Sequence, residues 1–80
     1  MIVLYFYTTA GCHLCEQAEV LLNELASHVQ LDITIVDIAT DEKLIEQYGV
    51  RIPVVKRLDV PDDLGWPFDY GQLKVYLSLN

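Results

Sequence analysis

An unbroken apolar run, Ile2-Val3-Leu4-Tyr5-Phe6-Tyr7, gives way within a few residues to apolar positions at helical spacing. The two cysteines of the chain sit at that junction, in Thr8-Thr9-Ala10-Gly11-Cys12-His13-Leu14-Cys15. The run is rich in β-branched and aromatic residues and predicts a central strand covered on both faces. Leu14, Ala18, Leu21, Leu22, Leu25 and Val29 then form a helical stripe, which predicts a helix from Cys12 or His13 to His28. A C-x-x-C between strand and helix places its first sulfur at the helix start. Unpaired backbone N–H groups and the positive end of the helix dipole there favour a thiolate. The thiolate is the attacking species in disulfide exchange, and a second thiol one turn along can resolve the mixed disulfide it forms. The spacing and placement together predict a redox-active dithiol.

The remainder of the chain reads as a short alternation of strands and helices. Leu31 to Ile38 predicts a second strand, with Ile33 and Ile35 alternating against Thr34 and Val36. Thr40 or Asp41 can cap a short second helix that buries Leu44, Ile45 and Tyr48 and is stopped by Gly49 as a C-terminal glycine. Val54 to Leu58 predicts a third strand, Asp59 to Asp63 a turn, and Leu64 to Trp66 a short fourth strand. Asp69, with Gln72 three residues on, predicts a capping box opening a last helix with Leu73, Tyr76 and Leu77 on its apolar side. The expected fold is α/β, a single domain over 1–80 with element order β-α-β-α-β-β-α: a four-stranded mixed sheet flanked by three helices.

Eighty residues allow one small domain, and no segment approaches the ~20 apolar residues that a membrane-spanning helix requires. No Lys or Arg precedes the first apolar run, so no export signal is read there and a cytoplasmic location is expected. In that reducing compartment, two cysteines point to catalysis or metal binding before they point to a structural staple. Zinc asks for more donors than this segment offers, since only His13 and His28 could join the thiols and His28 is expected about four turns away. No metal and no resident cofactor are therefore expected. The net charge of −7 argues against nucleic acid or an anionic membrane as partner. Three of the five basic residues, Arg51, Lys56 and Arg57, surround Pro53.

Cys12-His13-Leu14-Cys15, Arg51-Ile52-Pro53-Val54 and Gly65-Trp66-Pro67-Phe68-Asp69, in that order and spacing, resemble small bacterial glutaredoxin-like proteins of the thioredoxin fold. The resemblance covers nearly the whole chain. It implies a glutaredoxin-type thioredoxin-like sheet, Cys12 as attacking thiol and Cys15 as resolving thiol. It further implies a cis peptide bond before Pro53, opposite the dithiol, where the bend presents the Ile52 backbone to a peptide or to glutathione. Arg51 would then lie at the rim of the same site, where a cation could stabilise the Cys12 thiolate and attract a substrate carboxylate. His13, inside the motif, could assist the thiolate when protonated, and Glu16 could accept a proton from Cys15. Two features depart from the glutaredoxin pattern. Only Gly65 and Asp69 could stand in for the Gly-Gly-Asp-like segment that holds the γ-glutamyl end of glutathione, and the customary lysine ahead of the C-x-x-C is missing.

The function expected on these grounds is thiol–disulfide oxidoreduction by a monomer. A disulfide-containing protein or glutathione would be the partner, and glutathione the implied reductant. Two other readings use the same residues. A redox-inert adaptor would bind proteins at the edge near Pro53 and would show a sluggish thiol titrating near 8.5. A reductase for a small oxyanion such as arsenate would draw on Arg51 and would show oxyanion-dependent oxidation of Cys12.

Overall fold

Alternation along the first strand sets the layers of the molecule. The computed structural model describes residues 1–78. In β1 (Ile2–Thr8), Leu4 and Phe6 are buried on one face, while Tyr5 and Tyr7 belong to the other. Such two-sided burial suits a central strand with layers on both faces, and the sheet order β2-β1-β3-β4 places β1 between two neighbours. β2 (Leu31–Asp37) runs parallel to β1 in a register from Ile2 opposite Leu31 to Thr8 opposite Asp37. β3 (Val54–Arg57) is antiparallel to β1, with Val54 opposite Tyr7 and Arg57 opposite Leu4. β4 (Leu64–Gly65) completes the sheet antiparallel to β3.

One face is covered by α1 (His13–Ala26) and α3 (Tyr70–Tyr76). Cys15, Ala18, Leu22 and Leu25 of α1 join Leu4, Phe6, Val55, Phe68, Leu73 and Leu77 in the larger core cluster. The other face carries α2 (Glu42–Tyr48) and a single 3₁₀ turn, Ile38–Thr40. Its cluster is smaller: Tyr7, Ile38, Tyr48 and Val54. The observed order of strands and α-helices is β-α-β-α-β-β-α, the order expected from sequence.

The capping signals resolve as chemistry. Asp41, not Thr40, caps α2, its carboxylate accepting from the Lys43 N–H at 2.8 Å. Asp69 and Gln72 close a reciprocal capping box on α3. α1 ends at Ala26, two residues before the expected stop, because Ser27 turns its N–H onto Asn23 and Glu24 and its hydroxyl onto the Glu24 carbonyl. Gly49 also differs from expectation. It ends α2 with right-handed dihedrals (φ −52°, ψ −40°) and not as a left-handed cap. Its N–H bonds the Ile45 carbonyl at 2.8 Å, and a Cβ at Gly49 would collide with that same oxygen, so close approach is what requires glycine. Ile35 departs from the alternation too. The core built by α1 takes in Leu31 and Ile33 but stops short of Ile35, which is 58% exposed on this edge strand.

Candidate active site

The strand registers gather the motif segments at one end of the sheet. Thr8 ends β1 opposite Asp37, Val54 begins β3 opposite Tyr7, and Gly65 lies opposite Val54. The Thr9–Cys12 loop, the Ile38–Thr40 turn, the Ile52–Pro53 segment and the Trp66–Pro67 segment therefore share that end. Gly11, with φ at +78°, makes the turn out of β1, and nothing crowds its missing side chain, so the dihedral alone demands glycine. The chain enters Cys12 in extended conformation (φ −89°, ψ 103°), and Cys12 is the N-cap of α1. Its Sγ accepts a hydrogen bond from the Cys15 N–H at 3.1 Å, the task a serine or aspartate oxygen usually performs.

Cys12 and Cys15 are joined as a disulfide with Cα atoms 5.2 Å apart. The two sulfurs are not equivalent. Cys15 is 3% exposed within the larger core cluster, whereas Cys12 is only partly buried against it. Cys12 is the more accessible sulfur, and it holds the cap position where helix-end N–H groups favour negative charge. His13 points to solvent, its side chain 90% exposed, with Nδ1 3.5 Å from the Glu16 carboxylate.

The Ile52–Pro53 peptide bond is cis, and so is Trp66–Pro67. The two segments are tied by a hydrogen bond from the Trp66 N–H to the Pro53 carbonyl at 3.0 Å. Pro53 is fully buried, and Ile52 packs against both core clusters. The Ile52 N–H is taken by the Tyr48 carbonyl at 3.0 Å.

Arg51 is held on the α2 side of this segment. Its guanidinium forks onto Asp63, Nη1 to Oδ2 at 3.1 Å and Nη2 to Oδ1, and lies 5.9 Å from the centroid of the Tyr48 ring. The hydrogen bond to Asp63 holds its pKa above the usual arginine value. The sequence-based expectation of a cation serving Cys12 must therefore reckon with a matched carboxylate. Tyr48 also stacks on Tyr7, centroids 4.2 Å apart at 19°, and Tyr5 meets Tyr7 edge-on at 6.1 Å. Burial, then the Tyr48 hydroxyl, pushes the Tyr7 phenol up to about 12. Asp63, Tyr7, Tyr48 and the Trp66–Pro67 bond were not legible as site components. Asp63 lies twelve residues from Arg51, and nothing local in the sequence announces the pair. Trp66 and Phe68 form an edge-to-face pair at 5.1 Å, with Phe68 buried. Gly65, one of the two residues that could stand in for a glutathione-binding segment, abuts the Arg51 guanidinium. Asp69, the other, spends Oδ1 and its N–H on Gln72. Among the described residues no three His, Cys, Asp or Glu side chains converge as metal ligands, and no helix is long and apolar enough to cross a membrane.

The family described as "Glutaredoxin-like domain (DUF836)" matches residues 3–78. The chain belongs to that glutaredoxin-like family. A structural-genomics target protein from X. campestris is 34% identical in its X-ray structure, with a TM-score of 0.79 over 96% of this chain and 97% of that one. A protein from Nitrosomonas europaea, solved in solution, is 26% identical, with a TM-score of 0.79 over 94% and 89%. A mutant thioredoxin from Halobacterium salinarum is 20% identical, with a TM-score of 0.70 over 96% and 72%, which shows the shared thioredoxin fold. No functionally curated protein matches the chain. The glutaredoxin-like domain thus presents its cysteine pair at the start of α1, at the sheet end where Pro53 leads into β3.

Proposed function

We propose that this glutaredoxin-like domain is a thiol–disulfide oxidoreductase. The observation that carries the reading is the asymmetry of the pair: Cys12 caps α1 with its sulfur on the Cys15 N–H, and Cys15 lies behind it in the core. In the reduced protein the Cys12 thiolate attacks a substrate disulfide. A Cys12–substrate S–S bond forms, the substrate S–S bond breaks, and the first substrate thiolate leaves and takes up a proton. Cys15, having lost its proton, then attacks the Cys12 sulfur. The Cys12–Cys15 disulfide forms and the second substrate thiol departs, so two electrons and two protons pass to the substrate. An external thiol, glutathione on the family resemblance or a protein dithiol, returns the pair to the reduced form in a reducing compartment. The substrate is a protein disulfide or a glutathione disulfide.

The test is single-turnover reaction of the reduced protein with a neutral disulfide dye. The wild type should react well above the rate of free cysteine near neutrality. Cys12→Ser should abolish that fast phase, and Cys15→Ser should stop at a stable one-to-one mixed disulfide through Cys12. A wild-type rate equal to that of free cysteine would make the domain an adaptor and end the oxidoreductase reading.

A further inference from the structure

Given the oxidoreductase reading, we infer that the site selects disulfides carried by cationic polypeptide segments and works poorly on glutathione disulfide. The inference starts from where the positive charge goes. Of five basic side chains, Arg51 is matched by Asp63, and Arg57 holds Asp59 and the Leu77 carbonyl. Lys56 turns its ammonium into the Arg57 and Val60 carbonyls. Lys74 sits 5.8 Å from the centroid of the Tyr70 ring. The fifth, Lys43, lies in the first turn of α2 among Asp41, Glu42 and Glu46.

Carboxylates remain at the disulfide's end of the sheet. Glu16 follows Cys15 directly and its side chain is 75% exposed. Asp37 and Asp41 flank the 3₁₀ turn at the same end of the sheet, and Asp69 follows the Trp66–Pro67 segment. The whole chain carries −7. Glutathione at neutral pH bears two carboxylates against one ammonium, so its disulfide is a dianion. It would meet an acidic surround with the nearby arginine already neutralised. A peptide flanked by lysines meets the same field with the opposite sign, which raises encounter rates by roughly 10- to 1,000-fold for focused charge.

The rim gives such a peptide something to rest on. Leu14, between the two cysteines, is 44% exposed, and Val50, two residues before Ile52, is fully exposed. Ile52 and Trp66 are half-buried, and the Ile52 carbonyl can accept from the peptide backbone. Apolar side chains and an acceptor, at a sheet end that carries carboxylates, fit a basic peptide better than a small dicarboxylate.

The experiment uses the pre-reduced full chain in single turnover at low salt. Three disulfides are compared: two peptides of one core sequence flanked by lysines or by glutamates, and glutathione disulfide. The lysine peptide should react at least about tenfold faster than the other two, and the gap should close to within about threefold at high salt. Glu16→Lys should narrow the ratio of lysine to glutamate peptide. Because one nucleophile serves both peptides, any change in Cys12 reactivity cancels from that ratio. Equal peptide rates, or glutathione disulfide matching the lysine peptide, would overturn the selectivity while leaving disulfide exchange standing. Failure of all three disulfides to outpace reaction with free cysteine would overturn both.

Discussion

The two faces of the sheet are built on different terms. Under α1 and α3 the packing is apolar and deep: Leu4, Phe6, Leu22, Leu25, Val55, Leu73 and Leu77 are all essentially inaccessible to water, and Cys15 is embedded among them. Under α2 the cluster is smaller and turns on a pair of tyrosines, with a guanidinium and a carboxylate at its border. The first face supports both the fold and Cys15, so disturbing it disturbs the cysteine pair. The second face holds the Ile52–Pro53 segment through Tyr48, whose carbonyl takes the N–H groups of both Arg51 and Ile52. The stability of the fold and the placement of the Ile52–Pro53 segment are therefore expected to be separable in this molecule.

The largest expected effect breaks or confirms that division. Phe6→Ala should cost about 3–5 kcal/mol, the usual range for emptying a buried aromatic site. In a domain this small that is a large share of its total stability. Tyr48→Leu, which keeps apolar bulk but removes the stack on Tyr7, should cost nearer ~1 kcal/mol. Its main consequence should be a several-fold slower disulfide exchange, through the displaced Ile52 segment. Denaturant unfolding and single-turnover kinetics on both variants decide the matter. Equal destabilisation by the two would show that the tyrosine face is as structural as the other.

What was legible in the sequence is what is local. The elements under α1 and α3 come from periodicity and caps, both local: the stripe from Leu14 to Val29, the Ile2–Tyr7 run, the Asp69–Gln72 box. The C-x-x-C at a helix start is local as well, and it located the cysteine pair. The tyrosine face depends on contacts between residues far apart. Tyr7 meets Tyr48 across forty-one positions and Arg51 meets Asp63 across twelve. Nothing in the immediate neighbourhood of either residue encodes the partner. Ile35 was misplaced for a related reason, since alternation says which side chains share a face but not where the covering helix stops.

A smaller effect, dependent on pH, centres on Tyr7 of the tyrosine face. The Tyr7 phenol keeps its proton to about 12 in the folded chain, against about 10 when unfolded. Between those values the unfolded state binds fewer protons than the native one, so stability falls as pH rises through the window from about 10 to 12. Burial raises Tyr76 as well, and it contributes with the same sign. Tyr7→Phe should flatten the decline by the share that Tyr7 supplies and leave stability near neutrality almost unaltered. Denaturant midpoints at about pH 9 and about pH 11.5 measure it. An unchanged alkaline slope in Tyr7→Phe would mean that the stack does not shield the phenol.

The smallest effect tests whether the tyrosine face reaches Cys12 electrostatically. Read from sequence, Arg51 is a cation that supports the thiolate, and Arg51→Ala should then slow Cys12 alkylation. The observed pairing makes a different forecast, because Asp63 already cancels most of the field that the guanidinium would project. The pair is partly exposed, so losing it should cost only about 0–1 kcal/mol, and Arg51→Ala should change the neutral-pH alkylation rate less than about twofold. Asp63→Asn is the sharper probe, since it removes the compensating charge and leaves the cation. That variant should alkylate faster than wild type at low ionic strength and converge on it as salt rises. If Asp63→Asn is inert while Arg51→Ala slows the reaction, the guanidinium reaches the sulfur in spite of its carboxylate, and the two faces of the sheet are coupled through charge after all.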